Sequence, residues 1–452
     1  MHNHGYDPLD PNGNITVKWD IMVWHDHESY DATVSIFNFQ LFRHVEKPGW
    51  RLSWAWKRKE VIWNMVGAEA TEQGNCSKFK GRVQLPHCCK RKPVIIDYLP
   101  GTPFNMQSPN CCKGGVLSSM TQDPTKYGSS FQLNVGLDPS DNTTDLIIPA
   151  NFSLGLPGYT CGEPRNVPPS RFSSDHGRRW TQALMTWNVT CSYSQFRAST
   201  APTCCVSLSA FYNETIVPCP QCSCGCQGEP GEKCIKYSLL FSYRATTLSF
   251  SFRVSLNRFV PFSKFYRPGE SPTVLQLPHS EEAVPPLVMC SRHMCPIRVH
   301  WHVKVSYREY WRVKITVTNL NFVKNYTQWN LVVQHPNLRS IEQIFSFNYK
   351  PLNQYGTIND TGMFWGIQYY NDMLLQSGEN GNVQTEMLLH KDSGIFTFRE
   401  GWAFPRKISF NGEQCVMPPP DEYPRLPNGS SSQTITRHCR IFVLLLLLRV
   451  IF

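Results

Sequence analysis

Seven cysteines crowd one stretch of the chain: Cys204, Cys205, Cys219, Cys222, Cys224, Cys226 and Cys234. Thiols at this density either bind metal as thiolates or oxidise into a disulfide-tied knot. The C-x-x-C at Cys219 and Cys222 has the spacing at which two thiolates hold one tetrahedral zinc ion. The flanking chain favours oxidation. Asn188-Val-Thr190 and Asn213-Glu-Thr215 bracket the Cys204–Cys205 pair as N-glycosylation acceptors, and further acceptors stand at Asn14, Asn75, Asn142, Asn151, Asn325 and Asn359. Such acceptors have meaning only in the secretory pathway, whose redox state favours disulfides. A disulfide knot is therefore expected. The chain has 18 cysteines, so without Cys439 near the C-terminus an odd thiol is left, free or paired between chains.

Two histidine clusters could ligate a metal. His25-Asp-His-Glu28 groups four candidate ligands, and His300-x-His302 puts two imidazoles on one face of a strand. Neither acquires an assignable third ligand, and no metal or other cofactor is expected. Glycoside hydrolysis needs two positioned carboxylates, which the sequence does not pair. No nucleophile elbow and no phosphate loop occur. No catalytic residue is assigned.

The elements that hold these residues are strands. From Asn14, residues Ile15, Val17, Trp19, Ile21 and Val23 alternate with Thr16, Lys18, Asp20, Met22 and Trp24, the pattern of a half-buried strand. Tyr30–Asn38 continues the pattern, and Trp50–Trp56 sets Trp50, Leu52, Trp54 and Trp56 against Arg51 and Ser53, which predicts Trp50 and Trp54 in a core. Strict alternation returns at His300–Tyr307 and Tyr310–Asn319, followed by Trp329–Val333 and Ile341–Asn348. Ser35-Ile-Phe-Asn38…Gly49-Trp50 aligns with Thr316-Val-Thr-Asn319…Gln328-Trp329, and Gly158-Tyr-Thr-Cys161 with Gly412-Glu-Gln-Cys415, as an internal repeat. Short strands, frequent Gly and Pro turns and no helical period predict an all-β protein: two β-sandwich-like domains joined by a disulfide-rich segment.

The expected organisation is a first sandwich over 6–165, a cysteine-rich segment over 166–285, a second sandwich over 286–416, a Pro-rich stem over 417–428 and a terminal signal over 429–452. Residues 235–269 read as foreign to their surroundings. They hold Lys236, Arg244, Arg253, Arg258, Lys264 and Arg267 with no acid, no cysteine and no sequon. With Arg437, Arg440 and Arg449 after Asn428, they account for nearly all of the formal charge of +10. The body is close to neutral, so no basic groove for nucleic acid is implied.

The start, Met1-His-Asn-His-Gly-Tyr-Asp-Pro8, has no apolar run of a secretion signal, and against so many sequons a truncated or replaced start is expected. At the other end, Asn428-Gly-Ser430, a polar spacer to Arg440 and the apolar Ile441–Phe452 compose a glycosylphosphatidylinositol (GPI) attachment signal with Asn428 as the anchor site. Arg449 weakens the tail's partition into a membrane.

Several stretches resemble the plant COBRA-like family: Tyr6-Asp-Pro-Leu-Asp-Pro-Asn-Gly-Asn-Ile-Thr16, Thr71-Glu-Gln-Gly-Asn-Cys-Ser-Lys-Phe-Lys-Gly81, Ala183-Leu-Met-Thr-Trp-Asn-Val-Thr-Cys191, Cys204-Cys-Val-Ser207, His293-Met-Cys-Pro-Ile-Arg-Val-His-Trp-His-Val-Lys304 and Gly401-Trp-Ala-Phe-Pro-Arg406. The resemblance implies an extracellular, GPI-anchored glycoprotein of the plasma membrane and cell wall. It further implies a part in cellulose microfibril deposition, with an N-terminal carbohydrate-binding module. The missing secretion signal, residues 235–269 and Arg449 depart from that pattern. By the module's motif, the rings expected to stack on cellulose or a related β-glucan are Trp24 and Trp63; Tyr30 and Trp56 are secondary candidates that the motif does not assign. Two other readings stand beside this one: a wall-remodelling, glycan-active enzyme, and a protein-binding module whose partners dock at the cysteine-rich segment.

Overall fold

The computed structural model describes residues 9–25, 29–79, 84–136, 146–173, 177–198, 202–210, 213–217, 219, 235–240, 255–260, 296–320, 324–352, 360–375, 381–392 and 403–424. Its strands before residue 200 are β1 (Ile15–His25), β2 (Ser29–Asn38), β3 (Arg51–Ala55), β4 (Val61–Val66), β5 (Ala68–Ala70), β6 (Val94–Asp97), β7 (Gly128–Gly136), β8 (Ala150–Ser153), β9 (Tyr159–Cys161), β10 (Arg165–Val167), β11 (Arg171–Ser173), β12 (Trp180–Gln182) and β13 (Met185–Tyr193). A sheet in the order β10-β13-β1-β2-β7-β4, with β9 also on β13, packs against a second sheet, β5-β6-β3-β8. Between them lies a tryptophan core. Trp19 stacks on Trp187 at 5.4 Å and meets Trp54 edge-on at 5.0 Å. Trp50, Trp54 and Trp56 are buried with them. Each such ring removes about 150–250 Å² from water, so this cluster dominates the first sandwich's stability.

The later strands are β14 (Cys204–Ala210), β15 (Asn213–Val217), β16 (Ile235–Leu240), β17 (Ser255–Val260), β18 (Ile297–Ser306), β19 (Tyr310–Asn319), β20 (Tyr326–Thr327), β21 (Asn330–Gln334), β22 (Ile341–Ile344), β23 (Phe347–Pro351), β24 (Thr361–Gly366), β25 (Met373–Leu374), β26 (Asn382–His390), β27 (Lys407–Phe410) and β28 (Glu413–Gln414). Here β15-β14-β18-β19-β26-β22 faces β23-β24-β21-β27-β28 across a core holding Trp301, Trp311 and Trp329. Within the stretch that reads as foreign, β16 and β17 pair with each other as a separate two-stranded sheet.

The internal repeat extends to atomic roles. Ile15, Val17 and Trp19 on β1 correspond to Ile297, Val299 and Trp301 on β18, and each strand carries a register shift just beyond, at Ile21/Val23 and at Val303/Val305. Ile15 pairs with Asn38, and Ile297 with Asn319. Both asparagines are buried, and each amide closes the following loop. Asn38 Nδ2 donates to Arg43 O (2.8 Å) and Ser118 O (3.1 Å); Asn319 Nδ2 donates to Lys324 O (2.7 Å) and Leu375 O (2.8 Å). Before the buried Trp50 and Trp329, Gly49 and Gln328 both take positive φ, at 89° and 55°.

One strand breaks the symmetry. In the first sandwich the strand flanking β1 is β13, antiparallel and last in sequence; in the second, β14 flanks β18, parallel and first. Their cysteines nevertheless take equivalent places: Cys191, opposite Ile15, bonds Cys161, and Cys204, opposite Ile297, bonds Cys415.

Two sequence expectations are corrected here. The first sandwich does not end at 165, because β13 supplies a central strand and carries it to Tyr193. Cys204 does not belong to a local knot, since it reaches 211 residues along the chain to Cys415; its neighbour Cys205 bonds Cys219 locally. Adjacent residues on a strand face opposite sides, which sends the two sulfurs of the pair to different partners. Cys222, Cys224, Cys226 and Cys234 lie outside the described residues. Two further bridges, Cys76–Cys89 and the vicinal Cys111–Cys112, tie loops of the first sandwich. The free thiol among the described residues is buried Cys88, and burial pushes its pKa up.

The sandwiches meet through a shared minor core, in which Phe42 from the first packs with Val332, Leu352 and Met363 from the second. Polar contacts surround it. Asn330 Nδ2 donates to Phe42 O (2.5 Å), Gln122 Nε2 donates to Gln328 O (2.7 Å), and Lys324 pairs with Glu46 at 2.5 Å. Glu46 is held below the usual carboxylate range, because Lys324, His44 and Asn411 outweigh its burial.

Candidate functional site

Of the four rings expected to stack on sugar, Trp24 faces the opposite way from the alternation on β1. Between Ile21 and Val23 the strand bulges, so that Ile21 pairs with Ala32 and Val23 with Asp31. The extra residue reverses the facing of everything after it. Val23 is turned to solvent, while Trp24 joins the side of Trp19, half-buried and stacked on Tyr30 at 5.8 Å and 14°. Tyr30 is 1% exposed, and burial raises its phenol's pKa. Trp56 is also 1% exposed, inside the tryptophan core 5.4 Å from Trp54. Neither Tyr30 nor Trp56 offers a ring face to a polymer. Trp63 occupies a bulge of β4 between Ile62 and Asn64, half-buried and edge-on to Phe79 at 5.3 Å. Its indole lies over Gly136, where an added Cβ would strike Nε1.

An aromatic group the sequence reading missed lies on the outer face of the first sheet, at the far end of β2. Phe37 and Phe39 stack at 5.8 Å and 28°, and Tyr127 joins them at 5.7 Å and 6.0 Å. Phe39 is 39% exposed. The backbone assembles the three: Asn38 N donates to Tyr127 O (2.8 Å) and Phe39 N to Asn14 O (2.9 Å). Opposite Phe37 stands Gly128, whose missing side chain leaves room for the ring; a Cβ there would lie 3.1 Å from Phe37 Cδ1. Lys18 Nζ sits over Phe37 (5.8 Å) and over Phe172 of β11 (5.6 Å). A signal for Phe37 was present: it shares the outward parity of Asp31, Thr33 and Ser35, where an aromatic side chain is out of place.

Beyond the rings the outward side chains are polar and bond to one another, the serines buried and the His25 and Asp31 side chains exposed. Ser35 Oγ and Ser130 Oγ lie 2.9 Å apart, Asn134 Nδ2 donates to Asp31 Oδ1 (2.7 Å), and His25 Nε2 meets Asp31 Oδ2 at 2.8 Å. From Asp31 to Phe37 the strand runs about 20 Å, the length of several sugar rings. The β11–β12 hairpin borders this surface and exposes Trp180 at its edge. Aromatic side chains beside exposed polar ones suit the C–H-rich faces and hydroxyls of a β-linked glycan.

The equivalent face of the second sandwich is polar. Parallel pairing of β14 with β18 puts Ser207 beside His300 and Ser209 beside His302. Ser207 Oγ lies 2.6 Å from His300 Nδ1; Ser209 Oγ lies 2.8 Å from His300 Nε2 and 2.7 Å from His302 Nδ1. Burial, reinforced by His302, Arg298 and Lys314, lowers the His300 pKa to about 4, so the ring is neutral at ordinary pH. In the other cluster, His25 pairs with Asp31, and residues 26–28 lie outside the described residues. Among the described residues no group of three or more His, Cys, Asp or Glu side chains is placed to hold a metal ion.

Of the glycan acceptors, Asn75, Asn151 and Asn325 are exposed and Asn14 and Asn188 half-buried. The side chain of Asn213, and all of Asn142, Asn359 and the anchor position Asn428, lie outside the described residues.

Comparison with known proteins matches this architecture. The COBRA N-terminal domain covers residues 30–194 and the COBRA family C-terminal domain residues 203–424, the division seen between β13 and β14. The chain is 56% identical to Protein COBRA of Arabidopsis thaliana over 428 residues, 94% of this chain and 87% of that one. It is 54% identical to COBRA-like protein 1 of Oryza sativa subsp. japonica, covering 95% and 89%, and 52% identical to COBRA-like protein 1 of Arabidopsis thaliana, covering 100% and 92%. The disulfide-stapled pair of β-sandwiches is thus that of the COBRA proteins. The chain belongs to the COBRA family. An exo-β-N-acetylglucosaminidase from Vibrio harveyi aligns with 27% of this chain and 18% of its own, at 15% identity and a TM-score of 0.21, a likeness that carries no argument.

Proposed function

We propose that the protein is a non-catalytic, GPI-anchored glycoprotein of the outer plasma membrane and cell wall. It binds cellulose or a related β-glucan on the outer face of the first sandwich and directs microfibril deposition and oriented cell expansion. The observation that carries this reading is the Phe37–Phe39–Tyr127 group beside the polar outer side of β2. Family membership, the sequons and the terminal Asn428-Gly-Ser430 pattern support the setting. The GPI lipid keeps the binding face close to the membrane at which glucan chains emerge.

The test is depletion of the oxidised, glycosylated ectodomain by microcrystalline cellulose, with sugar release followed in the same tubes. Phe37→Ala, Phe39→Ala and Tyr127→Ala should each weaken adsorption up to about tenfold, the worth of one aromatic contact, without altering the unfolding midpoint. Trp24→Ala and Trp63→Ala are the comparison. If only these two lose adsorption while keeping their fold, the Phe37 face is not the site. Release of soluble sugar by the parent would replace a binding protein with a glycan-active enzyme.

A further inference from the structure

A cleft of about 310 Å³ opens where the two sandwiches meet, a volume suited to a small organic ligand rather than a bare ion. The first sandwich supplies Lys47, Lys113 and Lys126; the second supplies Asp372. Lys126 pairs with Asp123 at 3.2 Å, whereas neither Lys47 nor Lys113 forms an ion pair among the described residues. Pro100 and Val116 on one wall and Met373 on the other add apolar surface.

The walls are fixed before any ligand arrives. The buried Asp97 carboxylate accepts from Cys112 N (2.8 Å), Lys113 N (2.9 Å) and Gly115 N (3.0 Å), which with the Cys111–Cys112 bridge sets the loop presenting Lys113. Lys113 Nζ donates to Gly128 O at 2.6 Å. On the opposite side Gln328 N donates to Asp372 O (3.2 Å) and Gln122 ties Gln328 to the first sandwich. A site built jointly by two docked domains is a common location for ligands.

We propose that this interdomain cleft is a second saccharide site, distinct from the sheet face, that binds a carboxylated glycan, a short oligouronate. Lys126 is neutralised by Asp123, which leaves Lys47 and Lys113 against the Asp372 carboxylate and so favours an anion, and the apolar walls favour sugar rings over phosphate or sulfate. Burial, with Lys126 beside it, holds the Lys113 pKa down against the opposing pull of Asp97 and Asp123; a ligand carboxylate would raise it, so affinity should weaken as Lys113 deprotonates at high pH. The choice of a saccharide rests on the glycan-binding reading; the charge preference does not.

The probes are tetragalacturonate and cellotetraose, titrated calorimetrically into the oxidised ectodomain at low salt, with inorganic phosphate as a further arm. Tetragalacturonate should bind at one site per chain, at least tenfold tighter than cellotetraose, and weaken with added salt. Lys47→Glu combined with Lys126→Glu should cost at least tenfold, since both side chains are exposed and their replacement leaves the cores intact. Phe37→Ala should leave tetragalacturonate affinity unchanged. Equal affinity for both tetrasaccharides, phosphate matching the uronate, or full affinity in the double lysine variant would each overturn the proposal. The last result would point to the basic run 235–269. Because cellulose adsorption is read on the same preparations, loss of the sheet-face reading and loss of the cleft reading remain separable.

Discussion

His300 shows how one side chain couples this fold to pH. Its ring is bracketed by Ser207 and Ser209, and burial with neighbouring cations lowers its pKa from 6.5 to about 4. Between those values the unfolded chain takes up the proton and the folded one does not. The contribution is therefore complete above about pH 6.5 and is lost as pH falls towards 4, on the order of 3 kcal/mol in all. Urea unfolding at pH 7 and pH 4.5 should show a smaller loss of stability in His300→Gln than in the parent. Equal losses would mean that His300 does not set this dependence. Side chains of this kind are hard to foresee: His300-x-His302 reads as a ligand pair until β14 lays Ser207 and Ser209 alongside it.

At the scale of elements, the repeat predicts paired behaviour. Asn38 ends β2 and Asn319 ends β19, each buried and each donating to a carbonyl five residues on and to one from a distant loop. Removing the amide leaves those buried carbonyls unsatisfied, at about 1–3 kcal/mol for each group. Asn38→Ala and Asn319→Ala should both destabilise by at least about 2 kcal/mol in chemical denaturation, whereas Asn325→Ala, exposed one turn away, should change little. A neutral result for either buried asparagine would break the equivalence. The alternation of β1, β2, β18 and β19 was legible in the sequence as far as Ile21 and Val303; past each bulge the parity reverses, and Trp24 went to the wrong face.

Across the whole molecule the most consequential bond is Cys204–Cys415. It joins the first and last parts of the second sandwich over a separation of 211 residues, including the stretch that holds β16 and β17. Closing so long a loop restricts the unfolded chain strongly, worth up to about 5 kcal/mol. Cys204→Ala with Cys415→Ala should lower the unfolding midpoint of the second sandwich well below that of Cys205→Ala with Cys219→Ala, whose loop spans a separation of 14. Similar losses from both pairs would show that local packing, not loop closure, sets their worth. The Phe42, Asn330 and Gln122 contacts then carry the second sandwich's order to the cleft, which exists only while both domains are docked.

The sequence by itself determined the all-β class, the tandem repeat, the oxidised cysteines and the family, because period-two alternation, turn residues and motif spacing are local properties of the chain. It also placed Trp50 and Trp54 in the core, where an apolar row opposite a polar one admits no other facing. Tertiary structure alone decided the facing of Trp24, the partner of Cys204, the membership of β13 in the first sandwich and the union of Phe37 and Phe39 with Tyr127. Each of these depends on which distant strand lies alongside. A bulge becomes visible only against a partner, and a stacking face forms only when segments far apart in sequence are brought into register.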